Sequence, residues 1–347
     1  MTRSRLMSSL ATVAVAAVAA LVTGIVVHTH ASGPAAPRPV TEAMPSPINT
    51  QPYVAAIQAA HRDGLRVWIE TDLVRRWLAG PAAFQQAIDA VAEEARQDGV
   101  AGIKIADEMG YHDGLNSPTQ VDEFLDASSR ALRAAAPGKL ILIDLIVPEL
   151  GCLPGHPPES SGAAGCDATR RREFPQLAMN QVDGYLHRHD VDVVDLSTDL
   201  LDPVTYASWG TDVDTAQTAA WHEANARGWP ALVTLQGRKA LAHPGLDADS
   251  AAETRADFRT FLDIPRQMGS LATDIWTWRQ QYEGQTYRLL NPGLKGNDLW
   301  TGLVQRHRAG DRMFTHFSPS SVEVSLESDL RLIAQAFTDV FVAAGTG

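Results

Sequence analysis

Seven short, mainly apolar runs recur along the chain, each carrying a polar side chain near its C-terminal end. They read Arg66-Val-Trp-Ile-Glu-Thr71, Gly102-Ile-Lys-Ile-Ala-Asp-Glu108, Leu140-Ile-Leu-Ile-Asp144, Asp192-Val-Val-Asp-Leu-Ser197, Ala231-Leu-Val-Thr-Leu-Gln236, Leu271-Ala-Thr-Asp-Ile-Trp276 and Met313-Phe-Thr-His-Phe317. The stretches between them have helical periodicity, and strand alternating with helix defines parallel βα units. The fold class expected is therefore α/β, a TIM-type (β/α) barrel with seven clear strands. The eighth is sought in Ser321-Val-Glu-Val-Ser325 or in Tyr287-Arg-Leu-Leu290, with a helix over 327–344 closing the chain. A seven-stranded barrel and a doubly wound open sheet are the alternatives, although no Gly-rich phosphate loop follows any run.

In such a barrel, side chains at the C-terminal ends of the strands converge on one site. That convergence gathers Glu70, Glu108, Asp144, Asp195, Gln236, Asp274 and His316. Successive strand residues face opposite ways. Lys104, Ala106 and Glu108 then share the inner face, and Asp107 turns toward the helices. Ala272, Asp274, Trp276 and Trp278 form another inward set, as do Val193, Asp195, Ser197 and Asp199. A ring of carboxylates in a barrel interior is costly unless the groups are paired or used. Asp144 has a structural alternative, an ion pair with Lys104 or Arg66.

The ends of the chain read differently from this core. Arg3 and Arg5 precede an apolar Ala/Val/Leu run that reaches Val27, and Thr29 with Ala31 offers a small-residue cleavage site. Residues 1–31 read as a secretory signal sequence, or as an uncleaved N-terminal membrane anchor. Residues 32–49 form a Pro/Ala-rich linker, and 50–347 suffice for a single barrel domain. The whole chain has 29 Lys and Arg against 41 Asp and Glu. Without residues 1–31 it keeps 27 cations and all 41 acids, a formal charge of −14. That surface argues against nucleic acid or anionic lipid as a partner, leaving contact with membrane only through the N-terminal segment. Scarce Lys beside plentiful Arg and Ala fits a GC-rich bacterial genome. Cys152 and Cys166 are the only cysteines, and so close a pair in an exported chain reads as a disulfide, contributing about 3 kcal/mol in the chain-entropy treatment.

The densest polar segment is Lys104-Ile-Ala-Asp107-Glu108-Met109-Gly110-Tyr111-His112-Asp113. A Glu at a strand tip followed by a polar, aromatic loop resembles the acid/base strand of many (β/α)-barrel glycoside hydrolases. In the clan with paired glutamates on the fourth and seventh strands, an Asn-Glu dipeptide supplies the acid. Here the dipeptide is Asp107-Glu108, and three strands later stands Gln236 rather than Glu. The resemblance implies two carboxyls flanking a glycosidic bond, one protonated and one ionised. Glu108 is the expected acid, and Asp144, Asp195, Asp274 or Glu70 its partner. Trp276, Trp278, Gln280, Gln236, His316, Tyr111 and His112 are the expected sugar-binding side chains, since sugar rings stack on Trp and bond to amides. No cofactor and no metal is expected: His187 and His189 are two apart on a helix and face different ways, and His112 with Asp107 and Asp113 reads as a solvated loop. The absence of GxSxG argues against an α/β-hydrolase. Two functions follow, an exported glycoside hydrolase acting as a monomer on a poly- or oligosaccharide, or a barrel without catalysis that binds a glycan or cell-wall component.

Overall fold

The apolar runs form strands because β-branched and aromatic residues dominate them and turn residues bound them. The structure, a computed structural model, describes residues 48–155, 163–189, 191–229, 231–236, 241–244 and 250–345, without side chains at 164, 231–236, 243 and 244. The signal or anchor segment and the linker up to residue 47 lie outside the described residues.

Eight parallel strands close into a barrel: β1 Arg66–Glu70, β2 Val100–Lys104, β3 Leu140–Ile146, β4 Val193–Ser197, β5 Ala231–Gln236, β6 Ala272–Ile275, β7 Met313–Phe317 and β8 Asp339–Ala343. Each pairs with its sequence neighbour, and β8 returns to β1 in the register Arg66↔Asp339 to Glu70↔Ala343. This is the TIM-type (β/α) barrel that the seven runs implied. The eighth strand is in neither expected place. The expected C-terminal helix stops at Ala336, Phe337 is extended, and Asp339-Val-Phe-Val-Ala343 is the closing strand. A short apolar run of that kind fits a helix or a strand by periodicity alone; the open edges of β1 and β7 decide it. Gln285–Arg288 instead pairs antiparallel with Arg279–Tyr282 in a small outer sheet, and Pro319–Ser321 forms a single 3₁₀ turn.

The parity reading holds within the strands. Trp68, Leu142, Val193, Ala272, Phe314 and Phe341 fill the lower interior of the barrel. Gly102 makes room for Trp68, since a Cβ there would lie 2.4 Å from the indole ring. The alternate residues Val67, Ile69, Ile103, Ile141, Ile143, Val194, Val340 and Val342 pack outward in the main core. The surrounding helices bury the face their periodicity marks: Ile88, Val91 and Ala95 in Pro81–Ala95, and Val121, Phe124, Leu125 and Leu132 in Pro118–Ala135. Ser117 caps the latter by accepting from Gln120 N at 3.3 Å. The helix Gln51–Arg62 feeds β1 from the opposite end, so that Tyr53, near its start, stands at the C-terminal mouth of the barrel. Cys152 and Cys166 are bonded, with Cα atoms 5.6 Å apart, across the loop that follows β3. No helix among the described residues is long and apolar enough to cross a membrane.

Candidate active site

Above the apolar interior, the next inward position of six strands is polar: Glu70 on β1, Lys104 on β2, Asp144 on β3, Asp195 on β4, Asp274 on β6 and His316 on β7. Lys104 is fully buried, and its Nζ lies 3.0 Å from Glu70 Oε1, Asp107 Oδ1 and Asp144 Oδ2 alike. His316 sits between Glu70 Oε1 at 2.8 Å from Nδ1 and Asp274 Oδ2 at 2.7 Å from Nε2. Asp144 pairs in register with Asp195, whose carboxyl neighbours Asp274. The layer is one connected chain of charges.

Its protonation follows from burial and neighbours. Burial alone would lower the pKa of His316, but Asp274 and Glu70 outweigh it and push the imidazole up to about 10, so it is a cation donating from both nitrogens. Burial likewise opposes the Lys104 charge, and Asp107, Glu70 and Asp144 together hold its pKa well above the ordinary value. Glu70 would be raised by burial; His316 and Lys104 reverse that and hold it ionised, well below the carboxylate range. Asp107 is drawn down chiefly by the Lys104 charge. Asp144 goes the other way: burial pushes it up to about 8 against the pull of Lys104. Asp195 is also raised well above the ordinary carboxylate value, first by burial and then by neighbouring Asp274 and Asp144. Neither Asp195 oxygen meets an N–H or O–H donor among the described residues. The Asp274 carboxylate becomes its hydrogen-bond partner once Asp195 carries the proton. Burial thus pushes Asp144 and Asp195 toward the neutral form, while the two cations hold Glu70 and Asp107 ionised.

Only part of this layer is open to solvent. Glu70 lines two pockets of about 340 Å³ each at the mouth. One adds Asp107, Asp72, Tyr53, Trp276 and Gln280; the other adds Gln280, Gln281, Arg279, His316 and the hydroxyls of Ser318 and Ser320. Asp144, Asp195 and Asp274 lie beneath, at 1%, 0% and 0% exposure.

The expected site residues divide accordingly. Glu70, Asp144, Asp195, Asp274 and His316 meet in one layer. Asp144 Oδ2 meets Lys104 Nζ at 3.0 Å, the expected contact, with burial favouring its protonated form, whereas Arg66 pairs with Asp339. Trp276 and Gln280 line a pocket with Glu70. Trp278 does not: it is 2% exposed, its indole donates to Asp329 Oδ2 at 3.1 Å, and its ring meets Trp300. β6 ends at Ile275, so strand parity no longer governs Trp278. The same reason corrects Asp107, which turns to Lys104 and not toward the helices, because β2 ends at Lys104. Glu108 follows in a left-handed conformation, φ 50°, half-buried. When ionised, its carboxylate helps to raise Asp144 and Tyr111. Tyr111 stacks on Phe174 with centroids 4.6 Å apart, and exposed His112 meets both rings edge-on. Neither lines the two pockets at Glu70. Gln236 ends β5, and its side chain lies outside the described residues. Sequence reasoning missed Lys104 as the hub, although its parity placed it inward, and Tyr53 and Asp72, which no local pattern marks.

No family model matches the sequence, and no curated protein matches it. Solved structures that resemble it include 2,3-dimethylmalate lyase (12% identity over 84% of this chain and 80% of that one, TM-score 0.37). Others are the carboxyl transferase domain of Rhizobium etli pyruvate carboxylase (12%, 88% and 46%, TM-score 0.41) and a glycoside hydrolase family 5 enzyme from Prevotella bryantii B14 in complex with a xyloglucan tetradecasaccharide (10%, 84% and 90%, TM-score 0.40).

Proposed function

We propose that the chain is an exported glycoside hydrolase acting on a poly- or oligosaccharide at the mouth of its barrel. The observation that supports this most is Glu70, an ionised carboxylate on the floor of a concave pocket walled by Trp276, Gln280, Tyr53 and Asp107. A carboxylate beneath an aromatic face and an amide suits a sugar ring, which offers hydroxyls to the polar groups and C–H faces to the indole. Glu70 then acts as nucleophile or base. Lys104 keeps Asp107 ionised, so this reading takes as proton donor Glu108, the next residue, which stands outside the lining of both pockets and donates only when it carries a proton. General acid catalysis contributes about 10²–10⁴-fold. Glu108→Gln and Glu70→Gln should each lower turnover on a glycan panel by that order, with circular dichroism unchanged, and Asp107→Asn should cost much less. Equal activity in wild type and Glu108→Gln removes that residue from the mechanism. Export is part of the proposal, supported by the N-terminal composition and by the Cys152–Cys166 bond.

One observation favours a second reading. Both acidic side chains that meet Lys104 in the pocket, Glu70 and Asp107, are held ionised, which suits hydroxyl binding better than proton donation. A barrel that binds glycan without cleaving it is then expected to retain glycan on the same panel while releasing no reducing ends.

A further inference from the structure

Glu70 is the one member of the polar layer that both mouth pockets share, and its carboxylate is held from beneath. Its Oε1 meets His316 Nδ1 at 2.8 Å, and His316 Nε2 meets Asp274 Oδ2 at 2.7 Å. Both ring nitrogens are engaged within the protein, which leaves His316 no N–H for a sugar hydroxyl although it borders a pocket. The ring plane is fixed as well. Phe341 lies against it with centroids 4.9 Å apart, and the His316 carbonyl accepts from Thr277 Oγ1 at 3.1 Å and from Trp278 N at 3.2 Å. Asp274 and Asp195 are each 0% exposed, out of reach of a ligand at the mouth. Asp274 Oδ1 and both Asp195 oxygens lack an N–H or O–H partner among the described residues, and the two carboxyls neighbour one another. One proton on Asp195 satisfies the pair, since Asp274 then accepts from Asp195 on one side and from His316 on the other. Among the described residues, the charged and titratable groups around His316 are Glu70 on β1, Lys104 on β2, Asp107 just after it and Asp274 on β6. Asp144 on β3 and Asp195 on β4 lie deeper in the layer, and β8 adds only the uncharged Phe341. A buried carboxylate that fixes an imidazole acts through that ring on the group beyond it.

We propose that Asp274 and His316 are positioning residues: Asp274, shielded from the mouth, fixes the His316 ring, and the ring holds the Glu70 carboxylate in the orientation it presents to both pockets. Asp195 anchors the other side of Asp274. The proposal rests on the saccharide reading for what Glu70 acts on, but not for how Glu70 is held. Asp195 and Asp274 thereby leave the set of carboxyls that could flank a glycosidic bond, and His316 leaves the set that binds the sugar.

Nitrogen-15 NMR of the full chain labelled in histidine tests the idea, with the His316 signals assigned by their loss in His316→Gln. Asp274 and Glu70 push the imidazole up to about 10, so the wild-type signals should show both nitrogens largely protonated from pH 5 to 9. Asp274→Asn keeps the side-chain shape and removes one of the two flanking carboxylates. It should bring that titration down by about 1–3 units, into the range measured. A wild-type His316 that titrates near the ordinary 6.5, or one that Asp274→Asn does not shift, overturns the proposal. Activity is read in parallel on the glycan panel, with circular dichroism as the folding control. Asp274→Asn should lower kcat by up to about 100-fold with KM little changed, the mark of a misplaced group and not of a lost binding contact. His316→Gln keeps an N–H beside Glu70 without the charge. It should retain more kcat than His316→Ala, and it should raise the acid limb of kcat/KM by about 1–3 pH units, because Glu70 loses a cation. A wild type that cleaves while Asp274→Asn keeps its kcat overturns the proposal. A wild type that cleaves nothing sinks the hydrolase reading and leaves the imidazole spectra to decide how Glu70 is held.

Discussion

Replacing Lys104 with Met removes the ammonium on which three carboxylates converge and keeps a side chain of similar length in the same space. The three partners do not lose equally. Asp144, pushed up to about 8 even beside Lys104, depends least on a counter-charge near physiological pH. Asp107 is more than half exposed and turns to water. Glu70 keeps His316 at 2.8 Å, and 21% of its side chain is open to solvent. Breaking a buried ion pair by removing one partner costs about 3–5 kcal/mol. With one cation left beside Glu70, and with the desolvation of Lys104 itself relieved, the expected loss is at the lower end, about 3 kcal/mol. Urea unfolding followed by tryptophan fluorescence reads it as a fall in the midpoint at unchanged slope. Glu70 has its folded pKa depressed, so its contribution is present above its unfolded value and is lost as pH falls through the folded one. The variant depresses it less. The gap between wild type and variant is therefore widest at neutral pH and closes below the ordinary carboxylate range. A loss under about 1 kcal/mol, or a gap that stays constant into acid, would refute the charge network as the reason for burying Lys104.

Three further outcomes are expected. Glu94 is 1% exposed on the helix Pro81–Ala95, has no hydrogen-bond donor for either oxygen among the described residues, and is pushed from 4.5 up to about 8, chiefly by burial. A raised acid costs stability as pH climbs from the unfolded to the folded value, so Glu94→Met should gain up to about 3 kcal/mol near neutral pH and nothing near pH 4, as read by urea midpoints across that range. Trp278→Ala should cost about 3–5 kcal/mol of stability, while Trp276→Ala should weaken glycan binding with a smaller stability change; the reverse pattern in paired unfolding and titration experiments would exchange their roles. Mass spectrometry of the non-reduced protein should find no alkylatable thiol, and Cys152→Ser should lower stability by about 2–4 kcal/mol.

The strands and their inward polar residues were legible in the sequence because the two-residue alternation of a strand is local: Val193 with Asp195, and Ala272 with Asp274, needed no knowledge of neighbours. The helices were legible for the same reason at a longer period, as with Val121, Phe124 and Leu125. Where a strand ends is not local, and so Asp107 and Trp278 departed from the faces that an extended parity assigned them. The closing strand Asp339–Ala343 depended on free edges at β1 and β7 that exist only once the other seven strands have assembled. The protonation of the site is the least local property of all. Asp144 and Glu70 are both acids on inward strand positions, yet one is pushed up to about 8 and the other held ionised. Sequence determined that a ring of carboxyls would face the barrel interior; only the packed barrel, by placing His316 against Glu70 and burying Asp144 beneath Lys104, decided which of them carries charge.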